Sequence, residues 1–292
     1  MAKSDFRIKA LKLHKKLKGK IEISLKAPIF SPEDLNLLYT PGVGAAASHL
    51  AKHPEDLSEM TIKNNTILIV SDGSAVLGLG NIGPEGALPV MEGKAMIFKQ
   101  FAGINAFPMV LATQDPDEIV KTVRYLSPAF GGINLEDISA PRCFDIERQL
   151  IDSLDIPVMH DDQHGTAIVV FAGLINALKA SRQKLQKSKI VILGAGAAGY
   201  AVAKMLKKAG AKEILVIDRK GIIAPSRQDL NFYKKELAQM TNPKNTKGEL
   251  KDALRGANVI IGVSGPDLIK YEHIKLMAKN PIVFALANPI PE

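Results

Sequence analysis

From about residue 67 onward, short apolar runs alternate with segments whose apolar residues recur at helical spacing. The runs lie within ILIVS, FPMVLATQ, FGGINLEDI and IPVMHDDQ, and the helical spacing occurs in DPDEIVKTVRYLSP and CFDIERQLIDSL. Uninterrupted apolar runs predict buried strands, and apolar residues three and four positions apart predict amphipathic helices. Strands and helices in alternation predict a largely parallel sheet with helices on its faces.

The second half of the chain continues the alternation. After Gly165, the segment TAIVVFAGLINALKASRQKL predicts a helix that connects to a second unit. That unit begins with the strand KIVIL, passes through GAGAAG into a helix, and continues with the strands EILVID, NVIIG and IVFALANP. We therefore predict an α/β fold with two domains, one over residues 1–163 and a Rossmann-type, doubly wound domain over residues 164–292.

The glycine-rich turn predicts a dinucleotide site. Gly194, Gly196 and Gly199 form G-x-G-x-x-G between a predicted strand and a predicted helix. In this motif the first glycine allows a tight turn, the second lets a pyrophosphate approach the backbone, and the third packs the helix against the strand. The predicted cofactor-binding residues of the turn are Gly194, Ala195, Gly196, Ala197, Ala198 and Gly199.

Asp218 ends the next strand, about twenty residues after the turn. A carboxylate there accepts hydrogen bonds from the adenosine ribose, which favours NAD. Arg219 and Lys220 follow at once, and either could pair with the 2′-phosphate of NADP. NAD is the preferred cofactor, and NADP stays open.

Two strands of the first domain end in paired carboxylates, Glu136-Asp137 and Asp161-Asp162. Ligands of open α/β sheets gather at the carboxyl ends of strands, so the two pairs are expected to meet. Four carboxylates in one place repel each other, and a divalent cation bound by oxygen, Mg²⁺ or Mn²⁺, would neutralise them. The alternative is a polar turn that caps the next helix, with Asp162 or Thr166 near its start. His160 and His164, which flank this pair, are interpreted as packing or supporting groups.

Composition narrows the class of protein. The chain has 292 residues, 46% of them hydrophobic, and one cysteine, Cys143, which indicates a reducing compartment. The basic start is interrupted by Asp5 and lacks an apolar export segment, so we expect a cytoplasmic protein that does not enter a membrane. The net charge is +8, and its densest lysine cluster, at residues 12–20, has no interleaved aromatic stacking residues and no nucleic-acid motif, so no nucleic-acid partner is expected.

Seven motifs in order resemble the malic enzymes, particularly the shorter bacterial NAD-dependent kind. They are LLYTPGVG, DGSAVLGLGNIGP, MEGKAMIFKQFAGINAFP, NLEDI, HDDQHGTA, ILGAGAAG and ALANP. The resemblance runs from about residue 10 to the last residue. It implies an αβα malic-enzyme catalytic domain before the nucleotide-binding domain, and oxidative decarboxylation of L-malate to pyruvate and CO₂ with NAD and Mg²⁺ or Mn²⁺. It also implies a homodimer.

The resemblance assigns a role to individual residues. Tyr39 of LLYTPG resembles the general acid of the family, and Lys94 of EGKA resembles the general base. Glu136, Asp137 and Asp162 resemble the three metal-binding carboxylates, and Asp161 resembles an acid that supports the base and the cofactor. Asn288 of ALANP resembles an asparagine that binds the substrate beside the nicotinamide; its alternative role is that of a turn residue before Pro289.

Two departures from the family pattern accompany the match. Larger malic enzymes carry a substrate-binding arginine where this chain has Ser74-Ala75-Val76, so another group is expected to hold the malate carboxylate. The family also continues past ALANPIPE with further strands of the nucleotide domain, a second asparagine and C-terminal helices. We therefore expect the nucleotide domain of this chain to be incomplete.

Three other functions fit parts of the pattern. A malolactic enzyme keeps its NAD bound and releases lactate, so net NADH release separates it from a malic enzyme. An amino-acid dehydrogenase shares the domain order but does not need the two acidic pairs. A catalytically silent fragment would bind NAD and turn over nothing.

Overall fold

The computed structural model describes residues 3–76, 78–288 and 290–292. The chain forms two compact units. The first contains the chain up to Ser74, Asn81–Glu136 and Ile146–Val158, and the second contains Ala75–Gly80, Asp137–Asp145 and Met159–Glu292. Each unit is built around one sheet.

The first sheet has the strand order β2-β1-β3-β4. Its strands are β1 (Thr66–Ser71), β2 (Asn105–Val110), β3 (Gly132–Leu135) and β4 (Val158–His160). The strand β1 lies in the middle and pairs in parallel with β2 and with β3. All residues of β1 except Ile67 are buried, as a central parallel strand requires.

Several α-helices precede β4 along the described chain. They are α1 (Lys3–Leu17), α2 (Pro32–Leu38), α3 (Val43–Lys52), α4 (Leu57–Met60), α5 (Gly83–Ala102), α6 (Pro116–Leu126) and α7 (Arg142–Ser153). Met91 and Ala95 of α5 pack against Ile69 of β1 and Ala106 of β2, and all four side chains are buried. This packing fixes α5, and with it Lys94, against the sheet.

Two features of the first unit differ from the sequence prediction. The strand β2 ends at Val110, not at Gln114, because Asp115 caps α6 by accepting from the backbone N–H groups of Asp117 and Glu118. The helix α5 was not predicted at all, because Gly83, Pro84 and Pro89 break its helical pattern. A proline at the start of a helix costs nothing, and packing on the sheet carries the helix past Pro89.

The second sheet has the order β7-β6-β5-β8-β9. Its strands are β5 (Lys189–Leu193), β6 (Glu213–Asp218), β7 (Gly221–Ile222), β8 (Val259–Gly262) and β9 (Ile282–Ala285). The pairs of β5 with β6, β5 with β8 and β8 with β9 are parallel, and only the short edge strand β7 is antiparallel. The Rossmann-like α/β arrangement predicted from the sequence is confirmed.

Helices of the second unit are α8 (Asp161–Ala180), α9 (Ala197–Lys208), α10 (Phe232–Thr241), α11 (Leu250–Leu254) and α12 (Tyr271–Ile274). The predicted start of α8 after Gly165 was wrong, because the helix already begins at Asp161. Two carboxylates in the first turn favour this earlier start, since they lie at the positive end of the helix dipole. Every residue of HDDQHG except His160 is therefore helical.

Among the described residues, no helix is both long and apolar enough to cross a bilayer.

Candidate active site

Lys94 lies on α5 and contacts a carboxylate at the end of β3. Its Nζ donates to Oε1 of Glu136 at 3.1 Å, and the two side chains are 22% and 12% exposed. Oε2 of Glu136 accepts from the amide of Asn134 at 2.8 Å. Each oxygen of this carboxylate is thus held by a different donor, which fixes both the plane of the carboxylate and the amine of Lys94.

Three predicted metal-binding residues come together. One carboxylate oxygen from each of Glu136, Asp137 and Asp162 lies within 4.8 Å of the other two. The backbone N–H of Asp137 donates to Oδ2 of Asp162 at 2.9 Å, which ties the two aspartates together. Asp137 has a φ of 55°, a left-handed conformation that aspartate tolerates better than most residues.

The donor set of this group suits a hard divalent cation. Glu136, Asp137 and Asp162 offer only oxygen, and Mg²⁺ and Mn²⁺ prefer carboxylate oxygen and water. Asp137 is buried and the other two are half-buried, so a cation would offset repulsion that solvent screens only in part. The residues present therefore fit the cation that the sequence predicts.

Asp161 is the first residue of α8, one position before Asp162, a predicted metal-binding residue. Its carboxylate folds back over the first turn of the helix. A Cβ placed on Gly165 would lie 2.3 Å from Oδ1 of Asp161, so only a glycine leaves room for this carboxylate. This close approach explains why a glycine, which is unfavourable inside a helix, occupies position 165 in the first turns of α8.

Tyr39 and Asn288 are not engaged in this way. Tyr39 follows the last residue of α2 and is 65% exposed, and within the described part of the chain its hydroxyl makes no hydrogen bond with Lys94. Asn288 is exposed beyond the end of β9. It is followed by Pro289, which lies outside the described residues. The structure therefore places Lys94, Glu136, Asp137 and Asp162 in contact networks and leaves Tyr39 and Asn288 at the surface.

The three glycines of the GAGAAG turn differ in their surroundings. Gly194 has a φ of 123°, and Gly199 is so close to it that a Cβ on Gly199 would lie 1.9 Å from the carbonyl oxygen of Gly194. A Cβ on Gly196 would meet nothing within 4 Å. The turn is therefore tight at its first glycine, packed at its third and open at its second, where a pyrophosphate approaches in this motif.

A cleft of about 580 Å³ lies in front of the turn. Gly194, Ala195 and Gly196 line it on one side, and Ala197, Ala198 and Gly199 begin α9 beside it. Further parts of its wall come from the end of β6, from α10, from the first turn of α7 and from the segment after β8. They include Asp218, Arg219, Lys220, Tyr233 and Phe144. Its position at the carboxyl ends of parallel strands is where such sheets bind nucleotides.

Two basic side chains pair with Asp218. Arg227 donates to both oxygens, at 2.9 and 3.1 Å, and Nζ of Lys234 lies 2.7 Å from Oδ2. Burial would raise the pKa of Asp218, but the hydrogen bonds from Arg227 and then Lys234 outweigh it and hold the pKa below its ordinary value. Arg227 also pairs with Asp229 at 2.8 Å, and its pKa is raised by the hydrogen bonds to Asp229 and Asp218.

The sequence analysis missed the side chains that hold the predicted ones. Asn134 lies two positions before Glu136. Residues two apart in a strand point to the same face, so the spacing gave only a weak indication that the two side chains meet. Arg227 lies in a loop nine residues after Asp218, and no local pattern linked them. Such partners are set by the tertiary fold, which single-sequence patterns do not encode.

Two family models match the chain. The model for the malic enzyme N-terminal domain matches residues 18–151, and the model for the malic enzyme NAD binding domain matches residues 163–292.

Individual relatives agree with these models. The chain is 56% identical over 274 residues to a NAD-dependent malic enzyme of Geobacillus stearothermophilus, with 94% of this chain and 57% of the relative covered. It is 50% identical to a bifunctional malic/malolactic enzyme of Bacillus subtilis, with 99% and 70% covered, and 48% identical to an NADP-dependent malic enzyme of Halomonas elongata, with 97% and 67% covered.

A solved structure supports the same assignment. The NAD-dependent malic enzyme of Thermotoga maritima superposes with a TM-score of 0.94 at 51% identity, covering 97% of this chain and 76% of that one. The chain spans little more than half the length of the Geobacillus relative. Both domain models, the relatives and the shared fold lead to one conclusion: the chain belongs to the malic enzyme family.

Proposed function

We propose that the protein oxidises and decarboxylates L-malate to pyruvate and CO₂ while reducing NAD⁺ to NADH, in a reaction that depends on Mg²⁺ or Mn²⁺. The observation that carries the proposal is the contact of Lys94 with Glu136. It joins an amine able to accept a proton to one of three carboxylates able to hold a cation. The NAD-dependent malic enzyme at 56% identity supports the same reaction.

In this reaction Lys94 is the general base. A neutral amine accepts the proton of the C2 hydroxyl while the C2 hydride moves to the nicotinamide. Glu136 holds the amine of Lys94, and Asn134 holds Glu136, so the amine is positioned before the substrate arrives. Asp161, next to Asp162 in α8, supports the base and the cofactor.

Tyr39 is the general acid of the second half of the reaction. After oxidation, the C3–C4 bond breaks, CO₂ leaves, and the electron pair forms enolpyruvate. Tyr39 gives a proton to C3, and the proton that Lys94 took from the hydroxyl replaces it. The proposed reaction therefore consumes no net proton, since the C2 hydride accounts for the one hydrogen lost to NADH.

Glu136, Asp137 and Asp162 would hold the divalent cation. When bound, the cation supplies a Lewis acid for the C2 oxygen and for the electron pair released by decarboxylation. Asn288 binds the substrate beside the nicotinamide. We assign residues 1–163 to the catalytic domain and residues 164–292 to the nucleotide-binding domain, with the cofactor on the GAGAAG turn.

NAD is the preferred cofactor in this proposal. Asp218 lies at the end of β6 and in the wall of the cleft, where it can accept from the ribose hydroxyls of NAD. Arg227 and Lys234 partly neutralise that carboxylate, and Arg219 and Lys220 line the same cleft. These basic side chains lower the repulsion that a 2′-phosphate would meet. NADP therefore also binds in this proposal, but more weakly than NAD.

A malolactic reaction is the second candidate, because a relative at 50% identity is a bifunctional malic/malolactic enzyme. The two reactions share malate, cofactor and cation. They differ in their products, which are pyruvate with free NADH in one case and lactate without net NADH in the other. A chain that only binds NAD is the third.

The test follows absorbance at 340 nm with L-malate, NAD⁺ and Mn²⁺, before and after EDTA, and assays lactate and pyruvate in the same samples. We expect NADH and pyruvate, loss of both with EDTA, and recovery with excess Mn²⁺. Lys94→Ala should lower turnover by about a thousandfold, because general bases contribute 10²–10⁴-fold, and should keep NADH binding. Lactate without NADH would favour the malolactic reaction. If neither pyruvate nor lactate forms, both reactions are contradicted.

A further inference from the structure

We propose that His160 is a positioning residue for the metal-binding carboxylate Asp162. Its Nε2 lies 2.9 Å from Oδ2 of Asp162, and its side chain is 0% exposed. The inference rests on the proposed function, since it concerns how the carboxylates are prepared for a divalent cation. It gives a role to the first residue of HDDQHG, which the proposed reaction does not use.

His160 lies at the start of α8, but its side chain does not cap the helix. It is the last residue of β4 and lies immediately before the first residue of α8. A residue in this position usually caps the helix with its side chain, but the imidazole of His160 makes no such bond. The ring faces Asp162, on the first turn of α8.

A second contact sets the tautomer of His160. The amide nitrogen of Gln163 lies 3.3 Å from Nδ1, and the side chain of Gln163 is buried. An amide nitrogen only donates, so Nδ1 accepts and the ring proton of the neutral imidazole lies on Nε2, the nitrogen that is 2.9 Å from Oδ2 of Asp162. The opposite orientation of the Gln163 amide would put a lone pair of Nε2 against the carboxylate, which is repulsive.

Asp162 is thus held from two sides. Its Oδ2 accepts from the backbone N–H of Asp137 at 2.9 Å and lies against Nε2 of His160. The hydrogen bond from Asp137 and the 2.9 Å contact with Nε2 of His160 act on the same oxygen of Asp162. Together they restrict the direction of the carboxylate, and neither places a nitrogen ligand on the cation. A ligand held in place loses less side-chain entropy when the cation binds, so the affinity rises.

These contacts predict that His160 acts through the N–H group of its ring and not through the volume of its side chain. His160→Phe keeps a ring of similar size but removes the donor. His160→Gln keeps a donor, because its amide nitrogen reaches nearly as far as Nε2. The side chain of Asp162 is 33% exposed, so water can solvate it in the phenylalanine variant and the chain should still fold.

The experiment titrates Mn²⁺ into the full chain and measures free Mn²⁺ by its electron paramagnetic resonance signal. We expect His160→Phe to weaken Mn²⁺ binding by about 10–100-fold, as for other groups that hold metal ligands. His160→Gln should recover affinity to within about threefold of the unaltered chain, by the same reasoning. NADH affinity and the melting temperature are measured on each variant, and NADH affinity should not change.

Gln163→Met provides a second route if the phenylalanine variant does not fold. It removes the hydrogen bond that holds the ring through Nδ1, leaves His160 and Asp162 in place, and should weaken Mn²⁺ binding by about tenfold. Unchanged Mn²⁺ affinity in His160→Phe, or in Gln163→Met, would overturn the positioning role, as would failure of His160→Gln to recover affinity. Absence of Mn²⁺ binding by the unaltered chain would overturn the proposed metal dependence itself.

Discussion

At the scale of single residues, side chains of the candidate site are held in place by polar partners. Asn134 holds Glu136, which in turn holds Lys94. Arg227 holds Asp218 through both of its oxygens. Preorganised polar groups of this kind need no rearrangement when substrate arrives, and that is where enzymes gain most of their electrostatic advantage.

Gly165→Ala should separate folding from activity. Alanine favours a helix over glycine by about 1 kcal/mol, so the free energy of unfolding should stay the same or rise. The new Cβ would lie 2.3 Å from Oδ1 of Asp161, so that carboxylate must move. We expect malate oxidation to fall at least about tenfold, the usual cost of displacing a positioned group.

The control for this variant lies in the same helix. A Cβ on Gly173 would meet the ring of Phe284 at 3.4 Å, an ordinary contact, so Gly173→Ala should gain a similar helix stabilisation and keep the activity of the unaltered chain. Urea unfolding and the 340 nm assay compare the two variants. Equal activity of Gly165→Ala and Gly173→Ala would contradict the proposed role of Asp161.

The sequence predicted the residues of the candidate site better than the partners that hold them. Paired acids at the ends of strands are visible in NLED and HDDQ, and the structure does bring Glu136, Asp137 and Asp162 together. The contact of His160 with Asp162 depends on which side of a turn the ring faces, and the contact of Arg227 with Asp218 depends on a loop. Neither has a periodic signal in the chain, so sequence patterns could not supply them.

At the scale of elements, the alternation of strands and helices predicted the two sheets, but not every boundary. The helix α8 starts at Asp161 although Gly165 argued for a later start, because the dipole of the helix favours both aspartates in its first turn. The helix α5 forms despite Pro89 because its buried face packs on β1 and β2. In both cases tertiary and electrostatic context overrode local propensity.

Two substitutions in the GAGAAG turn should have opposite effects. In Gly199→Ala the Cβ would lie 1.9 Å from a backbone oxygen, so the turn must deform, and we expect the free energy of unfolding to fall by about 3 kcal/mol. In Gly196→Ala the Cβ meets no protein atom within 4 Å, so stability should be kept. NADH binding should still weaken by about tenfold or more, because the methyl group occupies the approach of the pyrophosphate.

Thermal melts with and without NADH measure both effects. A ligand that binds only the folded chain raises its melting temperature, so Gly196→Ala should melt like the unaltered chain without NADH and gain less stability with it. Full stabilisation of Gly196→Ala by NADH would contradict the placement of the cofactor on this turn. A stable Gly199→Ala would contradict the packing of that glycine.

At the scale of the whole molecule, the N-terminal helices lack a core of their own. Neither α2 nor α3 contains a buried residue. Leu25, Phe30 and Leu37 are 77%, 87% and 68% exposed. Exposed apolar side chains gathered in one part of a chain indicate a surface that another protein covers.

We therefore expect a homodimer that buries this N-terminal apolar surface. Sedimentation equilibrium should give twice the mass of one chain, and Phe30→Glu or Leu37→Glu should raise the dissociation constant. Burying such a side chain contributes about 1.5–3 kcal/mol, and a twofold interface contains each substitution twice, so the rise should be about 100-fold or more. Tyr125 is 72% exposed on α6, so Tyr125→Glu controls for the added charge. A monomer at all concentrations, or equal weakening by Tyr125→Glu, would refute this interface.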